Sequence, residues 1–265
     1  MALDLTDYSS NSNDLTNVGV SESSDTPFAA STSSALFEGA NLDYLYITDA
    51  NQTGLEFSGG KFTFECWVKL AADITHNAEM LFNKTIFDSW ASNATYTVFI
   101  DNYWTPKTTF RIHVFKDDSN WNYRNYATPI ERNTWVHLAV TCDTSQAHAT
   151  MFEFFVNGSS VGNGVAAGGA GACNAIRDLA NPVQIGNMLN AGTPQDDYNL
   201  DGLLDEVRAW NDIRTSTEIS DNYNKRLAGT ETGLVAYYPF EPLEPPAVFG
   251  NMVASMSFPG TLKTV

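Results

Sequence analysis

The chain has 265 residues with 31 acidic and 14 basic side chains, which give a formal net charge of −17 at pH 7. This charge argues against binding to nucleic acid or to an anionic membrane surface, because both attract Lys and Arg, and it favours solubility and cation binding. The length suits one large β domain or two small ones, and the three widely spaced cysteines form no disulfide framework.

The N-terminal segment, residues 1–34, is rich in Ser, Asn, Asp and Thr. We expect it to form a short strand and loops that pack against the rest of the domain. It begins without a positive region or an apolar stretch, so it does not resemble a secretory signal. No apolar run later in the chain approaches the roughly 18 residues that a membrane-spanning helix needs.

The clearest strand is Lys61–Leu70, KFTFECWVKL, in which the residue type alternates along the segment. The alternation predicts an apolar face formed by Phe62, Phe64, Cys66 and Val68. Further strand-like runs occur at 35–38, 43–48, 79–83, 95–101, 108–116, 134–142, 150–157, 182–186, 203–210 and 233–240. Many short strands without a regular alternation of helices indicate an antiparallel β-sandwich.

Two segments between the strands have a turn or loop composition. Asn157 and Gly158 lie between apolar runs and predict a tight β-hairpin turn, because both residue types tolerate a positive φ. Residues 162–175 are rich in Gly and Ala and predict a flexible loop.

The C-terminal part of the chain contains the one predicted helix. Thr215 and Glu218 form a capping box at its start, and Gly229 is expected to end it. After Phe240 several prolines interrupt regular structure, although residues 242–265 still carry apolar side chains, among them Val248, Phe249, Met252, Val253, Met256, Phe258 and Leu262. Such a C-terminal arm either wraps its own sandwich or docks on a neighbouring subunit, and we expect the second arrangement.

Seven segments carry a resemblance to a known family: ALFEGANLDY at 35–44, KFTFECWVKL at 61–70, NTWVHLAV at 133–140, FFVNG at 154–158, VQIG at 183–186, DGLLDEVRAW at 201–210 and GLVAYYPF at 233–240. In this order they resemble the laminin-G-like, concanavalin A-like jelly-roll superfamily. The resemblance implies two curved antiparallel sheets, often a structural calcium ion, and most often a binding role. Because the superfamily also contains glycosidases, lectins and adhesion modules, the fold does not settle the function.

Residues 196–210 place carboxylates inside and beside an apolar strand. Asp205 and Glu206 lie among residues that favour burial, and a buried carboxylate requires a cation or several hydrogen-bond donors. The segment also reproduces the first half of an EF-hand-type loop, although Arg208 occupies the place of its bidentate Glu. We expect a structural calcium ion; its candidate ligands are Asp205, Asp201, Asn199 and Asp197, with Asp7, Asn11 and Asn13 as further oxygen donors. In the alternative, the two carboxylates pair with Arg208, Arg214 or backbone donors.

The sequence lacks the patterns that hydrolysis needs. Residues 158–162 match Gly-x-Ser-x-Gly, but that motif requires a strand–turn–helix elbow and here it falls in the predicted hairpin. The glucanases of the superfamily carry Glu-x-Asp-x-x-Glu on one strand, and no such string occurs in this chain. The four histidines have no metal-ligand spacing. We therefore expect no enzymatic activity.

Aromatic residues concentrate in Phe87–Tyr126, which holds 11 of the 33 aromatic side chains. Aromatic faces beside amides and charges suit sugar rings or a protein partner. The predicted binding residues are Trp90, Tyr103, Trp104, Trp121, Tyr123 and Arg124. In the alternative, most of these rings fill the core of the sandwich or cover its edge.

These patterns predict an all-β, two-sheet antiparallel jelly-roll sandwich over residues 35–241, with residues 1–34 packed on it, one short C-terminal helix and the C-terminal arm. We expect a non-enzymatic binding or structural module of a phage or virus virion, as a decoration, fibre or tail component in an oligomeric assembly. The start at Met1 without a secretory signal motivates the virion. The arm would contact other virion or surface proteins, and glycans are candidate ligands. A secreted or cell-surface lectin and a glycoside hydrolase are the alternatives.

Overall fold

A computed structural model describes residues 3–86 and 92–243. In that part of the chain the strands are β1 Thr16–Val18, β2 Ser21–Ser23, β3 Ser34–Phe37, β4 Tyr44–Ile47, β5 Lys61–Leu70, β6 Ala78–Thr85, β7 Ala94–Asp101, β8 Thr109–Asp117, β9 Asn120–Tyr126, β10 Val136–Asp143, β11 Phe152–Val156, β12 Ser159–Gly162, β13 Val165–Ala170, β14 Val183–Ile185, β15 Leu189–Asn190, β16 Thr193–Pro194, β17 Gly202–Trp210 and β18 Leu234–Tyr238. The α-helix, α1, spans Ser216–Asn222, and short 3-10 turns occur at Gly39–Asn41, Asp49–Asn51 and Asp196–Tyr198. None of the described helices is long and apolar enough to cross a membrane.

Two large antiparallel sheets form a sandwich, as the strand pattern predicts. The front sheet has the strand order β1-β4-β14-β6-β7-β8-β9-β13. The back sheet has the order β12-β11-β10-β5-β17-β3-β2, and β18 pairs with β17 beside this path. A small ribbon of β15 and β16 lies outside both sheets. The all-β jelly-roll prediction is therefore confirmed.

The hydrophobic core lies between the two sheets. The predicted apolar face of β5 points into this core, and all four of its side chains are buried there. From the front sheet, alternate residues of β7 and β8 meet them, because successive side chains of a strand point to opposite faces. Phe64 and Phe82 stack across the core with ring centroids 5.1 Å apart.

The outer face of the back sheet is also covered. Thr63, Glu65 and Trp67, on the face of β5 opposite to the core, are buried. The indole of Trp67 donates to the carbonyl of Tyr223, 2.6 Å away, just after α1. The helix and the loop behind it therefore act as a third layer that takes polar side chains of this sheet out of solvent.

The hairpin and the start of the helix form as predicted. Asn157 and Gly158 connect β11 to β12 with φ values of 49° and 76°. The capping box of Thr215 and Glu218 is present at the start of α1. These elements depend on interactions within a few residues, which explains why they are visible in the sequence.

Two expectations are wrong. The helix ends at Asn222 rather than near Gly229, because the carbonyls of Asn222 and Lys225 turn to accept hydrogen bonds from the buried guanidinium of Arg208. The Gly/Ala-rich segment is not a loop throughout, because its residues 165–170 form the edge strand β13, which pairs with β9. Its glycines are required by packing: a Cβ at Gly168 would lie 2.5 Å from the hydroxyl of Tyr123.

Candidate functional site

A cleft of about 290 Å³ lies on the outer face of the front sheet. Its lining includes Phe99 and Asp101 from β7, Arg111 and His113 from β8, and Trp121 and Tyr123 from β9. Tyr103, Trp104 and Tyr198 contribute from loops. The cleft thus crosses several neighbouring strands and is built from side chains that point away from the core.

Strand alternation and register together create the floor of the cleft. In β8 the apolar residues Phe110, Ile112 and Val114 enter the core, so Arg111 and His113 must point outward. The antiparallel register places Phe99 beside Arg111 and His113 beside Tyr123. Cross-strand neighbours lie about 4.5–5.5 Å apart, so these outward side chains touch each other.

The rings of the floor form a contiguous aromatic surface. Trp121 and Tyr123 stack with centroids 5.2 Å apart and an interplanar angle of 13°. His113 lies 4.7 Å from Tyr123 and meets Phe99 edge-on at 5.0 Å, measured between ring centroids. Burial, and secondarily the charge of Arg111, hold the pKa of His113 well below its usual range, so this imidazole is neutral at physiological pH.

One ion pair lies among these rings. The Nη2 atom of Arg111 is 2.8 Å from Oδ2 of Asp101. The guanidinium carbon also lies 6.0 Å from the centroid of the Phe99 ring and 5.6 Å from that of Tyr123, which is cation–π range. Burial raises the pKa of Asp101 and lowers that of Arg111, and in each case the opposite charge of the partner counteracts the shift.

Tyr103 and Trp104 are the exposed aromatic residues of the cleft, with 62% and 61% of their surface accessible. A buried polar network holds the two ends of their loop. Asn102 donates to Glu79 (2.8 Å) and accepts from the backbone N–H of Thr108 (3.1 Å). Glu79 in turn pairs with Arg132. A loop that is fixed in this way presents its rings with little entropy left to lose on binding.

The structure brings together four of the six predicted binding residues: Tyr103, Trp104, Trp121 and Tyr123. Arg124 does not belong to the cleft, since it lies on the other face of β9. Its guanidinium donates to the carbonyls of Asn163 and Gly164, both at 2.8 Å, and of His148 at 3.2 Å. Arg124 therefore supports the chain connections at the sheet edge. Trp90 lies outside the described residues.

The residues predicted from the sequence to bind a ligand do not include Phe99, Asp101, Arg111 or His113. A signal for two of them exists, since Arg111 and His113 alternate with three core residues in the strand TFRIHVFKD. An ionisable residue at every second position of a strand that otherwise favours burial indicates a polar site on the opposite face. Their convergence with Tyr123 depends on strand register and is not visible in the sequence.

The carboxylates predicted to bind calcium lie in a different region, on the outer face of the back sheet. A β-bulge separates Asp205 from Arg208, and Glu206 adopts a φ of 51° within it. Asp205 accepts from Ser31 Oγ at 2.6 Å and from the backbone N–H of Glu206 at 2.7 Å. Burial, and secondarily the nearby charge of Glu206, raise the pKa of Asp205 well above its usual range.

Glu206 and Arg208 form an ion pair, which is the alternative to calcium binding that the sequence analysis gives. Glu206 is 2.6 Å from Nη2 of Arg208 and also accepts from the hydroxyl of Tyr237. Arg208 further approaches Glu65 at 3.6 Å. Arg214 takes no part, because it pairs with Glu218 at 2.8 Å.

The other predicted calcium ligands do not converge on Asp205. Asn199 is buried and donates to the carbonyl of Gly39 at 3.1 Å, while its Oδ1 has no hydrogen-bond partner. Asp197 is exposed and Asp201 is half-buried. No group of three or more His, Cys, Asp or Glu among the described residues could hold a metal ion. Protein donors already contact both oxygens of Asp205, which favours the predicted alternative, and the calcium ion stays a prediction.

The N-terminal candidates take part in hydrogen bonds within the protein. Asp7 accepts from the backbone N–H groups of Asn13 (2.8 Å) and Tyr237 (2.9 Å), and Asn13 bonds the backbone of Thr53 in both directions. Asn11 donates to the carbonyl of Val235 at 3.2 Å. These side chains tie the N-terminal loop to β18.

Comparisons with known proteins agree with this architecture. A family model for the concanavalin A-like lectin/glucanases superfamily matches residues 39–220. Domain 4 of AbnA, an extracellular arabinanase from Geobacillus stearothermophilus solved in complex with arabinotriose, is 14% identical with a TM-score of 0.52, and the match covers 85% of this chain and 100% of that one. The enzymatically active domain of bacteriophage CBA120 tailspike protein 2 is 13% identical with a TM-score of 0.56, over 91% of this chain and 34% of that one.

A Bacteroides ovatus protein is 19% identical with a TM-score of 0.49, over 68% of this chain. The chain spans 45% of the length of that protein. A search of curated proteins finds no match. At these identities, the likeness to the solved structures concerns the fold.

Proposed function

Because this chain belongs to the concanavalin A-like lectin/glucanases superfamily, we propose that it is a glycan-binding module without hydrolytic activity and that its ligand lies in the aromatic cleft. The cleft itself is the observation that carries this proposal. Two largely exposed rings, Tyr103 and Trp104, line the same cavity as the stacked rings of Trp121 and Tyr123.

The composition of the cleft suits a sugar. Binding sites for small ligands combine apolar and aromatic walls with a few placed polar groups, and here the ion pair of Asp101 and Arg111 supplies the polar groups. The C–H faces of a sugar ring can pack on the aromatic rings while its oxygens reach the polar groups. The volume of about 290 Å³ suits a short segment of a glycan.

The cleft has a single carboxylate among its described lining residues, which favours binding over hydrolysis. Glycosidases place two carboxyl groups roughly 5–9.5 Å apart across the scissile bond. Asp101 is the one carboxylate among the described lining residues, and Arg111 faces it. The Gly-x-Ser-x-Gly string lies in the hairpin of β11 and β12, where Ser160 donates to Glu153 at 2.5 Å.

We also propose that the module is displayed on a virion, where glycan binding would serve adhesion. The fold that it shares with a bacteriophage tailspike domain supports this proposal. AbnA domain 4, which was solved with arabinotriose, supports the glycan ligand. Mass spectrometry of purified particles would identify the neighbouring chains, and a source without particles would refute the virion proposal.

The test of glycan binding is a glycan array followed by calorimetry with the wild type and the Trp104→Ala variant. Truncation of an aromatic anchor costs about 2 kcal/mol or more, so we expect roughly 30-fold weaker binding. Trp135→Ala is the matched control, because this half-buried indole donates to Asp25 and does not line the cleft. Equal losses in both variants, or no glycan bound by the wild type, would refute the proposal.

A further inference from the structure

The guanidinium of Arg111 has hydrogen-bonding capacity that the protein does not use. Its side chain is 10% exposed and lines the cleft. In the described part of the chain its ionic partner is Asp101, yet Oδ2 of Asp101 receives no aligned hydrogen bond. The buried Nε of Arg111 has no hydrogen-bond partner either. Buried donors are nearly always hydrogen-bonded, so this arrangement requires an explanation.

Asp101, the acceptor of the ion pair, is less accessible to a ligand than Arg111, the donor. The side chain of Asp101 is 4% exposed, and its Oδ1 already accepts from the backbone N–H of Tyr103 at 3.2 Å. Asp101 therefore holds the loop and compensates the charge of Arg111.

The surroundings of Arg111 fix the orientation of its donors. The guanidinium lies near the rings of Phe99 and Tyr123, which restrict its plane. A planar guanidinium held against aromatic rings is suited to a carboxylate, because two parallel N–H groups can bind its two oxygens at once. An ammonium group in the same place would lack this geometry.

We propose that the cleft binds its glycan through a carboxylate-bearing ring, of the sialic-acid or uronic-acid type, and that Arg111 is the group that binds the carboxylate. This inference rests on the proposed function, because it assigns the ligand class of the same cleft. The net charge of −17 does not oppose it at contact distance. At physiological ionic strength charges are screened over about 8 Å, so the guanidinium in contact with the ligand dominates.

The experiment compares two matched pairs of probes by calorimetry on the full chain. One pair is 3′-sialyllactose and lactose, and the other is trigalacturonate and its methyl ester. We expect the carboxylated member of one pair to bind roughly tenfold or more tightly than its neutral counterpart, because one charge-assisted bidentate contact is lost. The pair that shows the difference identifies the source of the carboxylate.

Two variants test the residue. Arg111→Lys keeps the positive charge but removes the two parallel N–H groups of the guanidinium. It should therefore abolish most of the preference for the carboxylated probe. The double variant with Arg111→Met and Asp101→Asn removes both charges of the ion pair, so neither charge is left buried without a partner. A melting curve of this variant would show whether it still folds. It should bind the carboxylated and the neutral member of each pair equally.

Four results would overturn the inference. Neutral probes that bind as tightly as the carboxylated ones would refute it while glycan binding stands, and so would an array that yields only neutral ligands. A preference that survives in the double variant would place the carboxylate elsewhere. If no glycan of any kind binds, the proposed function itself is wrong and this inference is wrong with it.

Discussion

The buried carboxylate of Glu65 allows a quantitative prediction about the outer face of the back sheet. Its Oε1 accepts from the indole of Trp210 at 2.8 Å, and its Oε2 lies 3.1 Å from His137 and 3.6 Å from Arg208. Burial alone would raise the pKa of Glu65, but Arg208, His137 and Trp210 outweigh it and lower the pKa from 4.5 to about 2. The folded state therefore strongly favours the ionised carboxylate.

The perturbation is Glu65→Gln, which removes the charge and retains the shape. One pKa unit corresponds to about 1.36 kcal/mol, so the lowered pKa implies a loss of roughly 3 kcal/mol in the free energy of unfolding. Breaking a buried ion pair typically costs about 3–5 kcal/mol. The lower end applies, because Arg208 keeps Glu206 as a partner at 2.6 Å.

The assay is urea denaturation at pH 7 and at acidic pH, with thermal melting as a second readout. A loss of about 3 kcal/mol corresponds to a fall of roughly 6–12 °C in Tm for a domain of this size. Because the folded pKa is depressed, the stabilisation by Glu65 is complete above pH 4.5 and is lost as the pH falls toward about 2. The difference between wild type and variant should therefore shrink over that window.

The matched control is Glu153→Gln on β11 of the same sheet, whose carboxylate is half-buried and pairs with Ser160. We expect it to change the free energy of unfolding by less than about 1 kcal/mol. A Glu65→Gln variant within about 1 kcal/mol of the wild type at pH 7, or a difference that is independent of pH, would refute the reasoning.

Two further predictions concern the acidic strand and the C-terminal arm. The pKa of Asp205 is raised, so the wild type should lose stability as the pH rises from about 4 through that pKa, whereas Asp205→Asn should not show this decline in urea denaturation. If Asp205 instead binds calcium, EDTA should lower the Tm of the wild type and not that of Asp205→Asn, and an unchanged wild type would refute the calcium prediction. Deleting the C-terminal arm, residues 242–265, should leave a cooperatively melting domain that no longer assembles with its partners in light scattering. Residues 244–265 of the arm lie outside the described residues. An unfolded or aggregated truncated chain would instead assign the arm to its own core.

The aromatic-rich segment contains both rings that fill the core and rings that line the cleft, so each of the two alternatives holds for part of it. Tyr96 and Phe110 fill the core, while Trp121 and Tyr123 line the cleft, although all four belong to the same aromatic-rich stretch. Composition alone could not separate them. Whether a ring is buried depends on which face of its strand it occupies. The core-facing side of a strand is known only once the two sheets are packed together.

The features that depend on neighbours along the chain are visible in the amino-acid sequence. The alternation in Lys61–Leu70, the turn at Asn157 and Gly158, and the helix cap at Thr215 arise from local dihedral preferences and side-chain periodicity, and the structure contains all three. The ordered set of such segments was enough to predict the sandwich.

Which distant side chains meet depends on how the strands pair. Arg111 reaches Asp101 and Tyr123 through the register of three strands. Glu65 accepts a hydrogen bond from Trp210, which is 145 residues away in sequence. The helix ends at Asn222, whose carbonyl accepts a hydrogen bond from Arg208. Contacts of this kind are set by strand pairing and by competition for buried hydrogen bonds, and neither leaves a local pattern in the sequence.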